Sequence, residues 1–217
     1  MRSFIRRYLE PADRLGEVLF GLVMALGITG AVRLGRGEAD NRTLLTDILG
    51  CNVAWGVVDG VMYVLGAFFE RARKARLMRD VLKAPSEAAA LEQIGKELDG
   101  PLIELTTPGE RAQLYRWVLA VLRRDVPVVP TVRRDDVLGG IAVALLIVVA
   151  TFPIVLPYLF VPDPNLAVRI SNVIAVTLLF LVGAWWGRVV GGRWMRIAAS
   201  LTMVGMTLVL LTIALGG

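Results

Sequence analysis

The chain has 217 residues, with 24 Lys+Arg against 19 Asp+Glu, no His, one Cys and 56% hydrophobic residues. Soluble domains run at about 45–50% apolar. Without imidazole there is no Ser-His-Asp triad and no histidine proton shuttle, and Cys51 alone makes neither an intrachain disulfide nor a thiolate zinc cluster. Any metal must be held by carboxylate, amide, hydroxyl, carbonyl or thioether groups, which suit Mg, Mn or Fe(II). The basic excess comes with no nucleic-acid recognition motif, so no nucleic-acid partner is expected.

The apolar residues are concentrated. Charge-free runs cover 18–32, 137–162, 170–187 and 197–217, and residues 48–69 form a further run broken only by Asp59. Their lengths are 15, 26, 18, 21 and 22 residues. A bilayer crossing needs about 20 apolar residues, and a transmembrane β-barrel would instead show short alternating segments. The expected fold is an all-α membrane protein. It has five transmembrane helices and a small cytoplasmic helical insert between the second and third. The divisions fall at 1–70 for the N-terminal segment and spans 1–2, 71–136 for the insert, and 137–217 for spans 3–5.

Basic residues orient the chain. With the N-terminus inside, the inner segments hold 20 Lys+Arg and the outer loops 4. The N-terminus and residues 71–136 are therefore expected in the cytoplasm and the C-terminus outside, in the cell (inner) membrane. The first run follows acidic residues and lacks a small-residue cleavage site, so it reads as a retained span.

In the first span the charge-free run covers only about 22 Å as helix. Glu17 must then lie just inside the cytoplasmic edge, or else be an exposed first-turn residue. In the second span Asp59 is the twelfth of 22 residues, where a charge costs about 2.5–3.5 kcal/mol. Asn52, Gly56, Asp59, Tyr63, Gly66 and Glu70 share one face at helical spacing. Asp59 is either an ion or proton site, with Asn52 and Tyr63 along the path, or a structural hydrogen-bonding group. Gly56 and Gly60 form a GxxxG pattern that admits a close helix. With Gly21 and Ala25 of the first span they are expected either to pack a homodimer or to pack helices within one subunit.

Residues 71–83 should continue the second span as a stalk. Ser86 should cap a helix over 87–99, stopped by Gly100 and Pro101. Thr107-Pro108-Gly109-Glu110 reads as a capping box opening a helix to Arg124, with Leu114, Trp117, Val118, Val121 and Leu122 on its apolar face. Residues 126–132 read as an extended linker. The insert's Glu87, Glu92, Glu97, Glu104 and Glu110 are interspersed with basic residues, and Glu92 and Glu97 do not align on one helix face. Pro153 and Pro157 should kink the third span. Asn172 reads as a cap or an interhelical hydrogen bond. Gly183, Gly187 and Gly191 suggest close packing, and Trp185, Trp186 and Trp194 an interfacial belt.

This layout of two spans, a helical insert and three spans resembles the vacuolar iron transporter family. Phe20-Gly21 is similar to the family's Phe-Gly before its Asp-Gly motif. Asp59 matches the glutamate of its Met-x-x-Gly-Glu pattern, and Glu70 the glutamate that ends its Gln-Arg-Asp-x-Glu stretch. DRLGEVLFGLVMALGITG and LGCNVAWGVVDGVMYVLGAFFERA look like a divergent bacterial branch. The family's first-span aspartate falls here on Met24, its methionine on Trp55, and the Gly before its glutamate on Val58. The resemblance implies a homodimer with a path near the two-fold axis and exchange of a divalent metal for protons, with no cofactor beyond the transported cation. On that reading Asp59, Glu17, Met24, Met62 and Glu70 would serve the metal. The alternative is a non-transporting scaffold or partner-binding protein that keeps the fold. Nothing points to an enzyme.

Overall fold

The computed structural model describes residues 5, 8–36, 40–102, 106–124 and 129–214. Among these there are seven helices and no strand. They are α1 (Pro11–Arg36), α2 (Asn41–Leu82), α3 (Glu87–Leu102), α4 (Pro108–Leu122), α5 (Arg134–Phe160), α6 (Pro164–Val190) and α7 (Trp194–Ala214). Three of them, α2, α5 and α6, are long and apolar enough among the described residues to cross a membrane. The chain forms two compact units, residues 1–64 with 134–217, and residues 65–133. The long helix α2 runs from the first into the second.

In the first unit α1 packs on α5, α6 and α7, α5 on α6, and α6 on α7. Leu22, Ala25, Leu44, Ile48, Ile154, Ala175 and Leu179 form its largest core cluster. Apolar side chains also cover the outside. Val137, Ile141, Leu145, Val149, Phe152, Leu156 and Leu159 are exposed along α5, and Val53, Val57, Val61 and Met62 along α2. Spacings of three to four residues place the α5 set on one stripe and Val53, Val57 and Val61 on another. A water-soluble surface rarely carries apolar stripes of this length, and lipid accepts them.

The helices approach closely where the sequence is small. A Cβ built on Gly60 would meet the Gly140 carbonyl oxygen at 2.7 Å, and one on Gly140 would meet the Gly60 oxygen at 2.5 Å. Gly56 faces Ala144 and Gly21 faces Ile147, both through backbone atoms of α5. Ala25 is fully buried in the core. Gly21, Ala25, Gly56 and Gly60 are thus occupied within the chain. A second copy packing on these same surfaces would have to displace α5. Gly183 meets Ala198 and Gly187 meets Trp194, which seats α7 on α6. Gly191 closes α6 in the left-handed conformation at φ 74°, where a side chain is strained.

One local expectation is corrected. Asn172 is exposed and lies inside α6, whose cap is Asp163, accepting from the Asn165 N–H at 2.9 Å. Pro153 and Pro157 lie inside α5, which continues to Phe160.

In the second unit the last turns of α2, with α3 and α4, enclose Val81, Ala90, Ile94 and Leu119. The Ser86 hydroxyl accepts from the Ala89 N–H at 3.2 Å. Helix α3 then passes the expected stop at Gly100 and Pro101 and ends at Leu102. The Thr107 capping box is present, with the Glu110 carboxylate accepting from the Thr107 N–H at 2.8 Å. That bond and the Thr107 hydroxyl hold Glu110 below the usual carboxylate range. Val118 and Leu122 pack on this core as expected, together with Tyr115 and Leu119, whereas Trp117, expected on the same face, is 65% exposed. Residues 126–128 of the expected linker and Glu104 lie outside the described residues.

Candidate cation site

The register of α1 against α2 builds the site. The two helices are consecutive in the chain and run in opposite directions, since Phe20 pairs with Trp55 and Tyr8 with Tyr63. The Phe20 and Trp55 rings meet edge-on at 6.0 Å. The Tyr63 hydroxyl donates to the Tyr8 carbonyl at 3.0 Å. Between these contacts, one turn before Phe20 brings Glu17 and one turn after Trp55 brings Asp59. The two carboxyl groups are electrostatic neighbours, and Glu17 also feels Asp13 one turn below. Asp13 and Asp136 act in turn on Tyr63. Asp13 and Asp136 therefore lie near Tyr63 at the starts of α1 and α5, with Glu17 and Asp59 one turn further along their helices.

This register changes the depth of Asp59. It lies 18 residues after Asn41, about 27 Å along α2. Its partner Glu17 is six residues into α1, about 9 Å. Gly140, opposite Gly60, is likewise six residues into α5. Asp59 is therefore near the starts of α1 and α5 rather than midway along the bundle. The centre of the charge-free run is a poor guide because the level of Asp59 is set by which residues of α1 and α5 it faces, not by its place within the run.

Neither Glu17 nor Asp59 has a hydrogen-bond or ion-pair partner among the described residues. Both are partly exposed. Two carboxyl groups at neighbouring levels of an apolar bundle call for a counter-charge when both are ionised. A shared proton or a cation supplies it.

The other expected residues separate. Asn52 lies two turns beyond Asp59 and is fully buried. Its Nδ2 donates back to the Ile48 carbonyl at 3.0 Å, while its Oδ1 is buried with no donor. Met24, one turn beyond Phe20, is half-buried near that level. Met62 is 60% exposed and turned away from the seam's packed side. Tyr63 lies over Gly139, where a Cβ would fall 2.2 Å from its ring. Glu70 belongs to the second unit, where Arg73 at 3.4 Å and Lys74 at 3.3 Å take its two oxygens. Arg73 first, then Lys74, holds Glu70 below the usual carboxylate range. It is a stalk ion pair.

Among the described residues no group of three or more His, Cys, Asp or Glu side chains could hold a metal ion. The site is a pair of carboxylates with a third nearby, suited to a hydrated or transient cation rather than a tightly caged one.

Sequence reasoning missed Asp13 and Asp136. Both lie outside the charge-free runs and read as end-of-helix charge. Asp136 is only 7% exposed, and its spacing two residues after Arg134 gives no hint of burial.

An all-helical chain with long apolar helices and an acid-lined seam belongs among integral membrane proteins. Comparison with known families makes the assignment specific. Residues 68–217 match the VIT family, the vacuolar iron transporters, over well more than half of the chain, and the protein belongs to that family. Membership carries membrane metal-ion transport as the general activity, and it fits a protein that is not an enzyme. The match begins at Phe68, so Glu70 falls within it and Glu17 and Asp59 precede it. No curated protein matches the chain.

Proposed function

We propose that this protein is a proton-coupled transporter of a divalent cation of the Fe(II) or Mn(II) type, in which Glu17 and Asp59 bind cation and proton alternately. The observation that carries the reading is the α1–α2 register, set by the Phe20–Trp55 and Tyr63–Tyr8 contacts, which brings Glu17 and Asp59 to neighbouring levels of the seam. Asp13 and Asp136 form the acidic approach from the inner end. The orphan Oδ1 of Asn52 is a neutral acceptor further along the same helix. Met24 would add a thioether at that level.

The topology proposed with it has α1, the apolar part of α2, α5, α6 and α7 crossing the inner membrane. The N-terminus and the unit 65–133 are cytoplasmic. A homodimer remains part of the proposal, with its contact on the exposed stripe of α2 that carries Val58 and Met62 rather than on the buried glycines. A second copy there would bring another Asp59 to the seam and raise the number of carboxylates available to a cation. The competing reading is a non-transporting scaffold that keeps the fold. It is favoured by the lack of a three-ligand metal group among the described residues and by Met24 where the family has an acid.

Reconstituted full-length protein decides between them. Proteoliposomes loaded with a metal-quenched dye should take up Fe(II) or Mn(II), faster with a transmembrane pH gradient than without. Quenching no faster than in empty liposomes, under either condition, refutes transport.

A further inference from the structure

A second feature lies at the same end of the bundle, where Arg14 stands on α1 between Asp13 and Glu17. Between α1, α5 and α6 lies an open cleft of about 340 Å³, within the range of small-ligand sites of about 300–1,000 Å³. Its wall is formed by Leu15, Val18, Leu146, Trp185 and Val189, with Arg14 at the mouth. Most of that lining is apolar. The geometry is graded along the bundle axis. Arg14 lies three residues into α1 and Val189 one residue before the end of α6. Leu146 neighbours Ile147, whose backbone meets Gly21, seven residues and about 10 Å beyond Arg14. That depth is about two thirds of one leaflet's share of a hydrocarbon core about 30 Å thick. Trp185 and Val189 are 58% and 48% exposed, so the cleft opens sideways.

We infer that this cleft binds one anionic phospholipid of the inner leaflet, its phosphate on Arg14 and an acyl chain along Leu15, Val18, Leu146 and Trp185. Charge selects the lipid. The Arg14 Nε donates to the Glu10 carbonyl at 3.3 Å, and its terminal nitrogens have no partner among the described residues. A guanidinium with free donors matches a phosphate oxygen pair. The neighbouring Arg188 lies over the Trp194 ring at 5.3 Å, and Arg193 and Arg196 are exposed at the same end. A headgroup with net negative charge is favoured there. A choline headgroup would bring its own cation beside the Arg14 guanidinium.

The inference rests on the bundle spanning the membrane with this end inside. It does not require transport, so its failure and that of the transport reading are separable. The test uses full-length protein in nanodiscs containing phosphatidylglycerol or phosphatidylcholine with the same brominated acyl chains. Bromine quenches a tryptophan it touches, and the Trp185 signal is the difference between wild type and Trp185→Phe. Wild type should show stronger Trp185 quenching by the phosphatidylglycerol. A single basic residue at a membrane surface is worth about a fivefold preference, and Arg14→Gln should lose that factor. Val189→Glu, on the exposed lip, should lose it too by repelling the phosphate without altering Arg14. Arg193→Gln, outside the cleft, should retain it. Equal quenching by both lipids in wild type overturns the site, as does a preference that survives Arg14→Gln and Val189→Glu.

Discussion

Replacing Gly60 by alanine tests whether the glycines of α2 serve the fold of one chain. The new methyl would lie 2.7 Å from the Gly140 carbonyl oxygen and 3.3 Å from its carbon, whereas ordinary contact begins at 3.4 Å. The obstacle is backbone, so no side chain can rotate away. The α2–α5 axes must part by roughly 0.7 Å at this point. Overpacking of this kind costs about 1–3 kcal/mol, and a backbone obstacle belongs at the upper end. Alanine recovers about 1 kcal/mol of helix propensity over glycine. The net loss is then about 2 kcal/mol, roughly a thirtyfold shift in the folded-to-unfolded ratio. Gly16→Ala is the control, because nothing lies within 4 Å of its Cβ position; it should be neutral or slightly stabilising. Unfolding by sodium dodecyl sulfate in dodecyl maltoside micelles, followed by helical circular dichroism, reads both. The loss for Gly60→Ala should be the same at two protein concentrations tenfold apart. If it matches Gly16→Ala, the close approach is not there. If the loss appears only at the higher concentration, the glycine serves contact between copies and the intrachain account is wrong.

Three further outcomes follow from local geometry. Gly191→Ala should cost about 1 kcal/mol, because residue 191 is left-handed at φ 74°; no loss in the same micelle titration would refute the αL cap. Thr107→Ala should remove the α4 cap and destabilise the second unit by about 1 kcal/mol, seen as faster amide exchange in residues 108–114 and nowhere in the first unit. The capping carboxylate of Glu110 is held low, so its contribution is present above its unfolded value of about 4.3 and is lost as pH falls through its lower folded value. Exchange at the start of α4 should therefore be steady from pH 7 to 5, after correction for intrinsic rates, and protection should fall only in stronger acid. Loss of protection near neutral pH would contradict the cap.

Much of the fold is legible because its signals are local. Apolar runs give the long helices, Thr107 and Glu110 give a capping box from four adjacent residues, and Ser86 marks its own helix start. What fails needs a partner to be known. Trp117 is apolar and correctly spaced, yet the face of α4 that meets α3 is set by Leu119. Gly56 and Gly60 announce a close neighbour without saying whose helix it is, and the structure supplies α5. Gly100 and Pro101 look like a stop, but α3 extends to Leu102. At the site, Glu17 and Asp59 are individually conspicuous because charge is costly in lipid. Their pairing depends on the register of two helices, which no periodicity within either one encodes. Asp13 and Asp136 are missed for the same reason. Glu70 aligns with a family glutamate, yet Arg73 and Lys74, one turn on, neutralise it.

The central claim is that the Glu17–Asp59 pair exchanges protons for a divalent cation. Asp59→Asn keeps shape and hydrogen-bonding capacity and removes one titratable group. The direct measurement is proton flux driven by an Fe(II) or Mn(II) gradient in liposomes containing purified wild-type or Asp59→Asn protein, each shown to be folded by circular dichroism. The account predicts metal-driven proton movement in wild type and none above the empty-liposome leak in Asp59→Asn. Undiminished flux in Asp59→Asn would contradict it.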